Sequence, residues 1–214
     1  MPTRNLTPMD RLVISLDNSL RTVFGRPRLT ERPNPSSGLP EHEMDESERR
    51  LAARLMRINH SGEVCAQALY QGQAMTANLP EIRMVMERAA LEENDHLDWC
   101  ERRLEELHDR KSLLNPAWYA GSFLIGAAAG IAGDRWSLGF VAETEKQVTA
   151  HLENHLSRLP PQDEKSKAIL EQMKEDEMRH AITAVEAGAA GLPFPIRSAM
   201  KLVSKIMTKS ACYL

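Results

Sequence analysis

Two pairs of side chains repeat a spacing that is typical of metal-binding helices. The first pair is Glu93 and His96, which are three residues apart. Glu177 and His180 repeat this Glu-x-x-His arrangement in the second half of the chain. Residues three apart lie on one face of an α-helix, so each pair can direct a carboxylate and an imidazole toward the same ion. The repeat therefore predicts two helices that each supply two ligands to a metal centre.

Each pair is preceded by one further acid at a similar distance. Glu63 lies 30 residues before the first pair, and Glu145 lies 32 residues before the second. Each half of the chain is thus expected to form a helical hairpin, with one Glu on its first helix and Glu-x-x-His on its second. Di-iron carboxylate proteins build their site in this way inside a four-helix bundle. We predict a ferritin-like four-helix bundle that holds two iron ions with six side chains: Glu63, Glu93, His96, Glu145, Glu177 and His180.

A third Glu-x-x-His sequence serves as a control for this interpretation. Glu105 and His108 have the same spacing, but the residue 30 positions earlier is Met75 instead of an acid. Glu105 also follows Glu93 by 12 residues, which turns it by ~120° around the helix axis. We therefore predict that this third pair lies at a solvated helix end and binds no metal.

The surroundings of the four predicted acidic ligands support a shared site. Each acid lies on a helix face that is otherwise largely apolar, as Glu93 does between Met86 and Leu97. A carboxylate on a core-facing stripe costs several kcal/mol unless it is paired or metal-bound. Four carboxylates with two neutral imidazoles carry a charge that two divalent cations cancel. Salt-bridged or solvated glutamates remain the alternative at any single position, and the ligand types alone fit manganese as well as iron.

Other polar residues lie close to the predicted ligands along the chain. His60 precedes Glu63 by about one helical turn, so we predict that it lies near the site. Metal-bound histidines usually donate their second N–H to a carboxylate or a carbonyl group, and Asp95 and Asp176 are available for this role. His151 follows Glu145 by six residues, which is a poorer helical register, and is left out of the predicted site.

Helical periodicity dominates the chain, which predicts an all-α protein. The predicted divisions are residues 1–45, an amphipathic helix and a proline-rich linker; residues 46–192, the di-iron bundle; and residues 193–214, a basic amphipathic tail. Predicted helices cover 9–24, 46–78, 80–109, 116–133, 134–159, 163–190 and 196–209.

Composition narrows the class of protein and its partners. The net charge of −3 conceals basic ends, because residues 1–32 carry +3 and residues 191–214 carry +4, which leaves −10 for the middle. This distribution argues against nucleic acid, which would require a basic face on the core itself. The three cysteines form no CxxC pair and favour free thiols in a reducing cytoplasm. We find no signal peptide, and no apolar run reaches the ~18–20 residues of a membrane span.

Two segments leave a choice between lipid and protein contacts. The uncharged helix over residues 116–133 contains Gly126-x-x-x-Gly130, which allows close helix packing, although its apolar side chains also suit a lipid-facing surface. The tail places basic residues every four positions opposite an apolar face, as helices that lie on anionic membranes do. A tail packed on its own bundle or on a partner is the alternative. The basic residues are Arg197, Lys201, Lys205 and Lys209.

Four stretches of sequence resemble the demethoxyubiquinone hydroxylases of ubiquinone biosynthesis. They are Asn-His-Ser-Gly-Glu-Val-Cys from Asn59, Glu-Glu-Asn-Asp-His-Leu from Glu92, Ala-Glu-Thr-Glu-Lys-Gln-Val from Ala142 and Glu-Asp-Glu-Met-Arg-His from Glu175. The resemblance covers roughly residues 51–192 and implies that the six ligands carry over to this chain. It further implies a peripheral membrane monooxygenase that hydroxylates a polyprenyl benzoquinol ring with O₂ and takes electrons from NADH.

The expected location is the cytoplasmic side of the cell membrane, as a peripheral protein, and the sequence leaves open whether the protein forms a complex with other enzymes of ubiquinone biosynthesis. Because no GxGxxG fingerprint is present, NADH is expected to bind weakly or to deliver hydride directly to bound quinone. A ferroxidase or iron-storage bundle is the alternative, since it uses the same ligands, but the apolar segment and basic tail fit a cage poorly. A redox-inert scaffold is a third interpretation, which the doubled ligand pattern disfavours.

Overall fold

The structure is a computed structural model that describes residues 7–30 and 32–213. Seven α-helices and no strands occur within these ranges, which confirms the predicted all-α class. The parts of the predicted N-terminal segment and tail at residues 1–6, 31 and 214 lie outside the described residues. The helices are α1 (Pro8–Phe24), α2 (Glu46–Thr76), α3 (Pro80–Glu106), α4 (Asn115–Ile131), α5 (Asp134–Leu156), α6 (Glu164–Glu186) and α7 (Phe194–Ala211).

Local signals set the beginnings of the helices that carry the predicted ligands. The Asp45 side chain accepts hydrogen bonds from backbone N–H groups in the first turn of α2, and the Asp45 N–H donates to the Glu48 carboxylate, which completes a capping box. Pro80 occupies the first turn of α3, where its missing N–H costs no helical hydrogen bond. Asp163 accepts from the Ser166 N–H at the start of α6.

Helices α2, α3, α5 and α6 form the bundle, with α2 packed on α3 and α5 packed on α6. Two separate groups of buried apolar side chains fill the bundle, and each contains residues from all four of its helices. One group includes Met56, Trp99, Leu104, Leu152, Ile169, Leu170 and Met173. The other includes Ala66, Tyr70, Ile82, Met86, Leu138, Val141 and Ala184. The predicted metal ligands occupy the stretches between these groups along each helix.

Helix α4 packs tightly on α2 through glycine. A Cβ atom on Gly126 would lie 2.2 Å from the Leu69 carbonyl oxygen, and one on Gly72 would lie 2.3 Å from that of Phe123. Other side chains of α4 face outward, since Leu124 is 68% exposed and Ile131 is 76% exposed. Both features considered for this segment are therefore present: glycines allow one face to pack closely, and the opposite face is apolar and exposed.

The terminal helices contact the bundle along one side each and expose apolar residues along the other. In α1, Ser19 hydrogen-bonds Tyr119 of α4 at 2.8 Å, whereas Leu16 and Leu20 are exposed. In α7, Met207 and Ala211 are buried against Ile58 of α2, while its four basic side chains are exposed. Within the described ranges, none of the helices combines the length and hydropathy required to cross a membrane.

The third Glu-x-x-His pair lies at the exposed end of α3, away from the predicted ligands. Glu105 and His108 are both exposed, and α3 ends between them at Glu106. His108 has a φ of 58°, a left-handed backbone that ends the helix. The prediction of a solvated helix end is confirmed.

Candidate metal centre

Each predicted ligand lies well inside one of the four bundle helices. Glu63 comes from α2, Glu145 from α5, and the two Glu-x-x-His pairs from α3 and α6. Every one of these side chains is buried, with exposures between 0% for Glu93 and 8% for His180. The structure therefore brings together all six residues that sequence spacing selected.

The six side chains form two groups that share one member. Potential ligand atoms of Glu63, Glu93, His96 and Glu177 lie within 4.8 Å of one another. Potential ligand atoms of Glu145, Glu177 and His180 meet the same criterion. Since Glu177 belongs to both groups, its carboxylate has the position that a bridging ligand requires.

Both histidines present the same ring nitrogen to the carboxylates. His96 Nδ1 lies 3.1 Å from a Glu93 oxygen and 3.3 Å from a Glu177 oxygen. His180 Nδ1 lies 3.2 Å from Glu177 and 3.4 Å from Glu93. The Nδ1 atoms therefore face the centre, and each Nε2 points away from it.

The outward nitrogens are held by carboxylates that cross between the two hairpins. His96 Nε2 lies 2.9 Å from Asp176, and His180 Nε2 lies 3.0 Å from Glu92. Each acid immediately precedes the Glu of the other motif, so the two contacts are related by the repeat. A carboxylate at this position fixes the tautomer and the ring orientation of a metal-binding histidine.

The role considered for Asp176 therefore agrees with its contact, but Asp95 has different partners. Asp95 accepts hydrogen bonds from Thr30 and Arg32 of the linker. Sequence reasoning missed Glu92 altogether. The signal was present, because an acid precedes Glu in both motifs, yet its partner is a residue 88 positions away.

Electrostatics shows how unfavourable the metal-free cluster is. Burial, followed by repulsion from Glu93, raises the pKa of Glu63 well above its ordinary value. Burial and then Glu177 raise the pKa of Glu145 in the same way. Burial lowers the pKa of His180, but hydrogen bonds to Glu177 and then Glu92 outweigh it and raise the value to about 12. Without cations, protons neutralise the cluster, so metal binding must displace protons.

Several carboxylate oxygens in the centre lack hydrogen-bond donors. Glu63 Oε2, Glu93 Oε1 and Glu145 Oε2 are buried and have no hydrogen-bond partner. Such atoms carry a desolvation cost that nothing in the chain compensates. Oxygen-rich donors with two imidazoles suit two ions of the Fe(II) or Mn(II) type. The residues present fit a dinuclear centre.

Tyr70 is a further buried contact of the cluster. Its hydroxyl donates a short hydrogen bond to Glu145 Oε1, and burial raises the pKa of this phenol well above its ordinary value. The sequence spacing predicts no role for Tyr70. The second oxygen of Glu145, Oε2, has no hydrogen-bond partner.

His60 and His151 are two further buried or partly buried histidines that lie close to predicted ligands along the chain. His60 is fully buried one turn from Glu63, but its Nδ1 lies 3.3 Å from the Asn115 side chain and it belongs to neither ligand group. His151, which the sequence reading left out, lines a cavity beside Glu63, and its buried Nε2 has no hydrogen-bond partner. The cavity is formed by several helices, so the register within α5 alone does not reveal that His151 lines it.

This cavity leads from the bundle surface to the centre. It has a volume of about 280 Å³ and lies between α2, α4, α5 and α7. Its walls are mainly apolar and include Trp118, Phe140 and Met200, and the predicted ligand Glu63 also lines it. A cavity of this kind suits a flat apolar ring with a long apolar substituent.

Comparison with known proteins identifies close relatives. The family described as "Ubiquinone biosynthesis protein COQ7" matches residues 50–211. A 3-demethoxyubiquinol 3-hydroxylase of Nitrosococcus oceani is 59% identical over 214 residues, covering 100% of both chains. The enzyme of the same name from Nitrosospira multiformis is 56% identical over 95% of this chain and 97% of its own. That of Acinetobacter baumannii is 54% identical over 99% of this chain and 100% of its own. The similarity therefore includes the N-terminal linker.

Proposed function

Because the chain belongs to the COQ7 family of ubiquinone biosynthesis proteins, we propose that it is a 3-demethoxyubiquinol 3-hydroxylase, a monooxygenase. The observation that carries this proposal is the buried cluster of four carboxylates and two histidines, found in a chain that is 59% identical to such an enzyme over its whole length. The substrates are then a polyprenyl methoxy-methyl-benzoquinol and O₂. Family membership and site chemistry point to the same reaction class.

Two iron ions are the metals that this proposal requires. Glu63, Glu93 and His96 would hold one ion, Glu145 and His180 would hold the other, and Glu177, which belongs to both groups, would contribute to both. When bound, iron supplies the electrons and the open positions with which O₂ is activated. The role of the chain is to hold these ligands in a dry interior, where Asp176 and Glu92 keep the imidazole rings from turning.

The cavity gives the quinol ring a route to the centre. Its apolar walls exclude water and favour a ring with a prenyl chain, while polar atoms of the lining residues can orient the ring oxygens. Asn59 Nδ2, Thr144 Oγ1 and His151 Nε2 are buried there without hydrogen-bond partners. The ring would then stop beside Glu63, and the prenyl chain would extend toward α7.

NADH is proposed as the source of electrons on the basis of family resemblance. The purified, iron-loaded protein should consume NADH when substrate quinone is present. If it consumes none, but hydroxylates a chemically reduced quinol, the proposal about NADH fails and that about hydroxylation stands.

We also propose that the protein acts at the cytoplasmic face of the cell membrane as a peripheral protein, where other enzymes of the pathway would associate with it. The exposed apolar residues of α4 and α7 and the exposed lysines of α7 support this location. Co-purification of those enzymes from solubilised membranes tests the association.

The decisive experiment is product analysis. Protein loaded anaerobically with Fe(II) is mixed with demethoxyubiquinol carrying a short prenyl chain and then with isotopically labelled O₂. We expect one labelled oxygen atom in the quinol product, and none with protein in which Glu177 is replaced by Ala. Oxidation of iron to a mineral without hydroxylated product would favour the iron-storage alternative.

A further inference from the structure

The N-terminal linker is tied to the bundle directly behind the metal centre. The Thr30 backbone N–H donates to Asp95 at 2.8 Å, and the Thr30 hydroxyl donates a second, short hydrogen bond to it. Arg32 donates from Nε to Asp95 and from Nη1 to Asp176, both at 2.7 Å. Its guanidinium also lies 5.1 Å from the centre of the Trp99 ring. The linker thus joins α3 to α6 through one side chain.

This contact reaches the centre in one further step. Asp176 Oδ2, which accepts from Arg32, is also the atom that lies 2.9 Å from His96 Nε2. Asp176 is fully buried, so its carboxylate depends on such donors for compensation of its charge. The orientation of the His96 ring therefore depends on an atom that Arg32 holds.

The two motifs differ in the residue that precedes the histidine. In the α6 motif the residue before His180 is Arg179, which donates to Glu92 at 2.9 Å and to Asp176 at 2.8 Å. The equivalent residue before His96 is Asp95, an acid. The α3 motif therefore lacks an arginine of its own, and Arg32 supplies a guanidinium from outside the bundle.

We infer that Arg32 is a positioning residue of the metal centre: it fixes Asp176 against His96, and the linker is thereby a part of the site. This inference rests on the proposed dinuclear centre. An arginine suits the role because its planar group contacts two carboxylates at once, which the ammonium group of a lysine cannot do in the same geometry.

The test uses Co²⁺ alone as the probe, because its visible absorption reports ligand geometry without turnover. The full-length, metal-free protein is titrated anaerobically with Co²⁺ as wild type, Arg32→Ala and Arg32→Lys. We expect affinity about tenfold weaker for Arg32→Ala, with altered absorption bands, and an intermediate loss for Arg32→Lys.

Arg28→Ala is the matched control. Arg28 lies in the same linker but pairs with Asp17, away from the centre, so its loss should leave affinity and spectrum unchanged. Wild-type affinity and spectrum in both Arg32 variants would overturn the inference. If Arg32→Ala does not fold, as judged by circular dichroism, Arg32→Lys decides the question alone. Absence of Co²⁺ binding in the wild type would instead refute the proposed metal centre.

Discussion

At the scale of single residues, Glu177 belongs to both groups of ligands, whereas Glu145 belongs to one of them. Glu93 resembles Glu177 in that its two oxygens approach both histidines. A bridging carboxylate contributes to two ions, whereas a terminal one contributes to a single ion. The number of metal ions that the protein retains should therefore depend on which glutamate is replaced. Replacing two residues of the same type, one bridging and one terminal, tests the geometry of the centre.

We expect wild-type protein to retain about two metal ions after anaerobic loading and desalting. Glu145→Ala should retain about one, because the group around Glu63 is left complete, and Glu177→Ala should retain almost none. Metal analysis by atomic emission measures the difference. The exposed Glu105→Ala is the control and should keep both ions. Equal retention by Glu145→Ala and Glu177→Ala would contradict a shared bridging position.

Two buried histidines outside the ligand set predict sensitivity to acid. Burial, followed by nearby positive charge, lowers the pKa of His60 and of His155 to about 3. Since both values lie below that of an unfolded histidine, the unfolded chain takes up protons first. Their contribution to stability is present above pH ~6.5 and is lost as pH falls toward 3, by ~2 kcal/mol for each at pH 5.

His155→Gln should therefore show a shallower fall in the free energy of unfolding between pH 7 and 5 than wild type, even if it is less stable at pH 7. Urea unfolding of metal-free protein measures this slope. His108→Asn, at an exposed position, should keep the wild-type slope. An unchanged slope in His155→Gln would show that His155 takes up protons equally in the folded and the unfolded chain, and would contradict its lowered pKa.

The residues that the sequence could not reveal are those whose partners lie on another element. Spacing within one helix predicted the orientation of Glu93 with His96, because three residues always span most of a turn. The contact between Glu92 and His180 depends on the rotation and axial offset of α3 against α6, which no periodicity records. The path of Arg32 depends on a linker that has no periodicity at all.

At the scale of the elements, the helix boundaries were predicted closely. Predicted and observed beginnings agree for α2 at Glu46, for α3 at Pro80 and for α5 at Asp134. Prolines and capping acids act within a few residues, so their effect is readable from sequence. The predicted ends of several helices were a few residues too long, because a helix end frays without a comparably strong local signal.

The packing of α4 on α2 provides a test of the glycine contact. In Gly126→Ala the new methyl group would meet backbone atoms of Leu69, which cannot turn away, so α4 must shift outward. We expect a loss of ~1–3 kcal/mol in the free energy of unfolding, measured with urea. Gly121→Ala, in the same helix with open space around it, should be neutral or stabilising by up to ~1 kcal/mol. Equal effects of the two substitutions would contradict close packing at Gly126.

At the scale of the whole molecule, the charge is divided between an acidic middle of the chain and two basic ends. The tail lysines are exposed, and no ion pair to Lys201 or Lys205 occurs within the described ranges. Each basic residue near an anionic bilayer contributes ~1 kcal/mol to binding. The arrangement leaves these charges available to a surface that carries the opposite sign.

Lys201→Glu with Lys205→Glu should reduce binding to vesicles of anionic phospholipid at least tenfold, while metal content remains unchanged. Co-sedimentation at low and moderate salt measures the loss, and wild-type binding should weaken as salt is raised. Lys167→Glu on the bundle surface is the control, since this exposed lysine belongs to α6. Equal binding by the double variant and the wild type would exclude the tail as the lipid-binding element.

The position of α7 has a consequence for how turnover is measured. This helix supplies both the row of lysines and one wall of the cavity, through residues such as Met200 and Val203. The prenylated quinol would then pass from the bilayer into the cavity in one step, without leaving the surface of α7. Quinols of different chain length should separate delivery from chemistry: a water-soluble analogue would be processed by protein detached from vesicles, and a long-chain one would not.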